Sequence, residues 1–119
     1  PQSVVEDLAR QIESHLTEWG PATELVDSPL YESDGYWRGP IWAPSTYLIV
    51  SGLRSAGMDE LADEIGRRFC RLCESSGFAE NFDAVTSRGL RDRAYTWTAA
   101  VYLLLLGEQS GDRCGRDRR

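Results

Sequence analysis

Two short stretches place flat aromatic rings beside carboxylates. One is Tyr36-Trp37-Arg38-Gly39-Pro40-Ile41-Trp42, and the other is Phe78-Ala79-Glu80-Asn81-Phe82-Asp83. A carbohydrate site needs both kinds of group: ring faces bury the C–H side of a sugar, and carboxylates bind hydroxyls or move protons. The same residues also suit a plainer role, in which the aromatics anchor long loops to the core and Glu80 is a solvated loop acid. Composition alone favours that plainer role. Cys70 and Cys73 form a C-x-x-C, a redox or metal signal only in the right setting. With neither a βαβ pattern nor a histidine partner nearby they read as packing, and the lone His15 reads as a solvated or packed side chain. No metal site and no cofactor is expected.

The elements that must hold these stretches are helical. Ser3 with Glu6 three residues on reads as a capping box. Val5, Leu8, Ile12, Leu16 and Trp19 then share one stripe, which predicts an amphipathic helix from about Ser3 to Trp19, ended by Gly20-Pro21. Pro44 fits the first turn of a second helix and Gly57 its C-terminal cap. Tyr47, Leu48, Ile49, Val50 and Leu53 make that helix apolar nearly all round, as befits one inside a larger assembly of helices. A third helix, about Asp59 to Ser75, has a narrow stripe of Leu61, Ile65, Phe69 and Leu72. Its charges suit the helix dipole and allow the pairs Asp63–Arg67 and Glu64–Arg68. The last helix, about Tyr95 to Gly107, is again apolar on most sides.

The pattern thus alternates: outer helices with one apolar face, inner ones greasy all round. A two-layer all-α arrangement follows, and no alternating strand pattern competes. Both aromatic–carboxylate loops join an outer helix to an inner one, so they open on the same end. Four helices leave the far side of the inner pair uncovered, which implies either part of a larger helical ring or one half of an oligomer.

Composition bounds the partners. At 41% hydrophobic and 27% charged residues, the 119-residue chain is globular rather than disordered. A net charge of -6 argues against nucleic acid, which needs clustered cationic side chains. The longest apolar run, Trp97–Leu106, is too short to span a bilayer. Unpaired cysteines and no apolar leader before Pro1 point to the cytoplasm.

The string Tyr36–Trp42, the helix Tyr47–Gly57, Glu80-Asn81-Phe82-Asp83 and Tyr95-Thr96-Trp97-Thr98-Ala99-Ala100, in that order, resemble the C-terminal end of a glycoside hydrolase clan. Its members include mannosylglycerate hydrolases, trehalases and processing α-glucosidases, and the mannosylglycerate hydrolase-like group is nearest. The likeness runs from about Ser3 to Gly107. It implies part of an (α/α)6 barrel, two concentric rings of helices, and inverting hydrolysis of an α-glycosidic bond with a carbohydrate as substrate. By the same matching Glu80 is the general base, while Tyr36, Trp37 and Trp42 line the sugar pocket. Arg38 either holds the loop or touches substrate. Asn81, Phe82 and Asp83 orient Glu80, and Trp97 fills core.

The general acid of the clan is an Asp upstream of this region, and Asp34 matches no motif. The resemblance therefore implies that residues 1–110 are the C-terminal portion of a catalytic domain, followed by a flexible polar tail over 111–119. The chain alone is expected to be inactive and to need the rest of its barrel, or self-association, to cover its apolar faces. Two other readings stay open: a non-catalytic carbohydrate-binding relative, and a self-associating helical interaction domain.

Overall fold

The structure is a computed structural model that describes the backbone of residues 1–116 and the side chains of residues 1–109. Helix α1 spans Gln2–His15. It begins before Ser3, which lies inside the helix, so the expected capping box does not form. Instead the N–H groups of Val4 and Val5 both donate to the carbonyl of Pro1 (3.1 and 3.4 Å). The helix also stops short of Trp19, because Leu16 leaves it in an extended conformation. Leu16–Thr17 (β1) pairs antiparallel with Gly20–Pro21 (β2). The Thr17 hydroxyl closes the turn, donating to the Gly20 carbonyl at 2.9 Å and accepting from the Trp19 N–H at 3.2 Å. His15 is structural: its Nδ1 lies 3.0 Å from the Ala22 carbonyl, while its own carbonyl accepts from the Ala22 N–H at 2.9 Å.

Helix α2, Ala43–Ser55, carries a proline in its first turn as expected, and Gly57 follows it at φ 77°. Burial is confined to Ala43, Thr46, Val50 and Leu53, a single face at helical spacing. Leu48, on another side, is 70% exposed. Helix α3, Asp59–Ser76, is the most deeply set, burying Ala62, Ile65, Gly66, Phe69, Cys70, Leu72 and Cys73. It lies across both α2 and the last helix, α4, Thr96–Arg116. Of the two ion pairs expected on α3, Glu64–Arg68 forms at 2.7 Å. Asp63–Arg67 does not, because Asp63 reaches across to Arg54 of α2 at 2.7 Å and Arg67 turns to Glu64 at 2.8 Å. Arg54 also donates to Glu108 of α4 at 3.1 Å, so one guanidinium joins three helices.

Among the described residues, the buried side chains of α4 are Thr98, Val101 and Leu105. Trp97 falls off that face and is 56% exposed, so it does not fill core in this chain. The helix continues past Gly107 to Arg116. Residues 117–119 lie outside the described residues, so the tail expected over 111–119 falls partly on them. Two ladders not signalled by periodicity are present, β1–β2 and a second in which Asn81–Phe82 (β3) pairs antiparallel with Gly89–Leu90 (β4). The whole is a slab with extents of 45 × 35 × 19 Å, about two helix layers thick. Its core joins Ile41, Val50, Ile65, Phe69, Phe82 and Leu105.

Candidate active site

The loop between β2 and α2 is built by its own backbone bonds. The Glu32 N–H donates to the Arg38 carbonyl at 2.8 Å, and the Gly35 N–H to the Glu32 carbonyl at 3.0 Å. The Arg38 side chain closes the same ring, donating to Glu32 Oε2 at 2.8 Å in an exposed pair. This pair fits the loop-holding role expected of Arg38. Thr23 ties the loop down, its hydroxyl donating to the Pro40 carbonyl at 2.8 Å and accepting from the Gly39 N–H at 3.0 Å. Gly39 is there because of close approach: a Cβ would fall on the Glu32 carbonyl and stand 2.9 Å from Tyr31 Cε2.

On this frame the aromatic rings form a cluster. Trp37 stacks on Trp42 with centroids 4.1 Å apart and an interplanar angle of 11°. Tyr36 meets Trp42 edge-on at 4.7 Å, and the Trp42 indole N–H donates to the Tyr36 carbonyl at 2.8 Å. Tyr36 and Trp37 are 43% and 46% exposed, whereas Trp42 is 1% exposed. Expected as one of three rings facing a sugar, Trp42 instead stands behind the other two: Trp37 covers its face.

The second loop, between α3 and α4, is pinned at its root. The Tyr95 N–H donates to the Phe78 carbonyl at 2.8 Å, and the buried Thr98 hydroxyl to the Ala79 carbonyl at 2.6 Å. The Glu80 N–H donates to the Asp92 carbonyl at 2.7 Å. Glu80 is half-buried, and among the described residues its carboxylate makes no hydrogen bond or ion pair. Phe82 is fully buried and meets Phe69 edge-on. Asp83 does not reach Glu80 but caps the turn after β3, its Oδ1 accepting from the N–H groups of Val85 (2.9 Å) and Thr86 (3.0 Å).

The two loops meet, as their topology required. Ile41 and Phe82 exchange both backbone hydrogen bonds (2.8 and 3.0 Å), forming an antiparallel bridge that sets Trp42 level with Asn81. Arg91 makes a second junction. Its Nη1 donates to Asp34 Oδ1 at 2.7 Å and to Asn81 Oδ1 at 3.2 Å, its Nη2 to the Asp34 carbonyl at 3.3 Å. The guanidinium carbon lies 4.9 Å from the Tyr36 ring centroid. Sequence reasoning missed Arg91: its ion-pair partner lies 57 positions away, so no local spacing pointed to it. Asp34, which matched no motif, is its ion-pair partner.

Residues 1–98 match the mannosylglycerate hydrolase MGH1-like glycoside hydrolase domain. The chain belongs to this family. The mannosylglycerate hydrolase of Rubrobacter radiotolerans is 38% identical over 73 residues, 61% of this chain and 16% of that enzyme. The glucosylglycerate hydrolase of Mycolicibacterium hassiacum is 33% identical over 72 residues, 60% of this chain and 16% of that enzyme. The crystal structure of the GH63 mannosylglycerate hydrolase from Thermus thermophilus in complex with Tris superposes with a TM-score of 0.80 at 28% identity, covering 87% of this chain and 25% of that one. The four helices are accordingly part of an (α/α)6 barrel. The chain spans 16% of the length of either of these two curated relatives.

Among the described residues, no three His, Cys, Asp or Glu side chains gather as a metal site. Cys70 and Cys73 are free and buried, their thiols pushed up to about 11 and about 12 by desolvation, which suits packing rather than reactivity. Among the described residues, no helix is long and apolar enough to cross a membrane.

Proposed function

We propose that residues 1–110 are the C-terminal portion of the catalytic domain of an inverting α-glycoside hydrolase, and that Glu80 is its general base. The substrate class is an α-mannoside or α-glucoside, with glyceric acid conjugates foremost because the two curated relatives act on mannosylglycerate and glucosylglycerate. Tyr36 and Trp37 present their exposed rings to the sugar, Trp42 supports them from behind, and Arg38 keeps the loop closed. Glu80 takes a proton from the water that attacks the anomeric carbon. A carboxylic acid supplied from outside this chain protonates the leaving oxygen from the opposite face. Room for that water sets the two carboxyl groups roughly 6.5–9.5 Å apart.

The observation that carries this reading is the bridge between Ile41 and Phe82, which brings the aromatic loop alongside the strand that follows Glu80. The unpartnered, half-buried state of the Glu80 carboxylate fits a group whose partner is a substrate water. Glu80→Gln in the full-length protein tests it: the amide cannot accept the proton, so kcat drops by about 10²–10⁴-fold while sugar binding persists. Proton NMR of the parental reaction, followed from its first minutes, should show the β-anomer appearing first. A Glu80→Gln variant at the parental rate would refute the assignment.

A further inference from the structure

The geometry points to Arg91 as a positioning residue, a clasp that fixes the sugar-facing rings relative to the Glu80 strand. This inference rests on the reading of Glu80 as general base. The backbone bridge at Ile41 anchors only the end of the aromatic loop; Tyr36 and Trp37 ride on its exposed tip, several residues earlier. Among the described residues, the side-chain hydrogen bonds that cross from that tip to the Glu80 loop are those of Arg91.

Its planar fork holds both ends at once. On one side it grips the carboxylate and the carbonyl of Asp34 and lies over the Tyr36 ring. On the other it binds Asn81, the immediate neighbour of Glu80. Because guanidinium only donates, Asn81 Oδ1 must face it. The Asn81 amide is thereby fixed, with its Nδ2 buried and making no hydrogen bond among the described residues. Tyr36 and Arg91 both occupy left-handed backbone conformations (φ 63° and 62°) that non-glycine residues rarely adopt. Strain of that kind persists only where contacts over-determine it, and here the two strained residues face one another across the junction.

Hydrolysis by inversion needs the base, the water and the anomeric carbon in register, and the rings that seat the sugar sit on the tip that Arg91 restrains. Loosening the tip therefore lowers the frequency of productive geometry rather than removing a reacting group. Lysine cannot replace the clasp fully, since it lacks the fork that engages Asp34 at two points.

The test uses the full-length protein with mannosylglycerate or glucosylglycerate, whichever it hydrolyses. Arg91→Ala should lower kcat by about 10- to 100-fold with KM changed about threefold or less, and Arg91→Lys should recover part of the loss. Asp34→Ala should give a comparable loss, and the double variant should be little worse than either single one, since both remove one interaction. Independently of activity, hydrogen–deuterium exchange should rise across residues 31–38 in Arg91→Ala while the α3 amides keep their protection. Additive losses, a kcat within about twofold of the parent, or unchanged exchange in 31–38 would overturn the clasp. Should Arg91→Ala fail to fold, Arg91→Lys and Asp34→Ala carry the same comparison. Glu80→Gln measured alongside separates the two claims. An inactive Glu80→Gln with a normal Arg91→Ala refutes only the clasp. A fully active Glu80→Gln refutes the base, and the exchange data then judge the clasp alone.

Discussion

Trp37 is the side chain whose role at the single-residue level is most exposed to test. Nearly half of its surface faces outward and its other side rests on Trp42. On the proposed reading Trp37 stacks on the sugar, so Trp37→Ala in the full-length protein should raise KM by about tenfold, with a smaller loss of kcat than Arg91→Ala gives, because Tyr36 and the restrained tip still orient the sugar. A kcat loss without a KM change would place Trp37 in the chemistry instead. Gly39 makes a different kind of statement. Its neighbours leave no space for a methyl group, because the Glu32 carbonyl and the Tyr31 ring close over it. Gly39→Ala must shift backbone rather than a flexible side chain, and should cost about 2–4 kcal/mol of stability by chemical denaturation. A loss below about 0.5 kcal/mol would show that the loop is looser than its hydrogen bonds suggest. The glycine, tyrosine and tryptophans were legible in the sequence because they form one contiguous string. Arg91 was not: it reaches Asp34 across 57 positions, in a stretch with no periodicity, and only folding reveals the pairing.

Helices were the most readable elements, since apolar spacing and the glycines at 57 and 77 mark them directly. What spacing could not show is where a competing local structure wins. Thr17 and Gly20 divert the chain into a ladder two residues long, too short for any period to register, and α1 ends at His15 as a result. Asp63 likewise had a good partner on its own helix but found Arg54 on α2, a non-local choice. The thiols on α3 yield an element-scale prediction. Burial raises Cys70 and Cys73 from 9.0 to about 11 and about 12, so the folded state binds these protons more tightly than the unfolded chain does. Their contribution to stability is fully present below about pH 9 and is lost as pH climbs towards 12. Alkylation mapped by mass spectrometry should leave both thiols unmodified at pH 7.5 and modify them once the protein is unfolded. Rapid native labelling of either would contradict the packing seen here.

At the scale of the molecule, α2 and α4 each leave large apolar side chains uncovered by the described residues: Leu48 is 70% exposed, Leu103 66% and Trp97 56%. On the proposed reading these surfaces meet the remaining helices of the barrel. The 119-residue chain made by itself should therefore bind a hydrophobic dye and sediment with concentration-dependent mass. A clean monomer without dye binding would show that these side chains need no cover. The apolar pattern that leads to this expectation was visible in the amino-acid sequence, but the identity of what covers these side chains was not, because periodicity marks an apolar side chain and not its partner.

One measurement bears most directly on the central claim. On the proposed reading, Glu80→Ala in the full-length protein removes the group that deprotonates water, while azide is a nucleophile that needs no deprotonation. With azide and an α-glycoside bearing a good leaving group, that variant should form a β-glycosyl azide, which the parental enzyme does not accumulate. Hydrolysis by Glu80→Ala at the parental rate, or an azide adduct of α configuration, would contradict an inverting mechanism with Glu80 as its base.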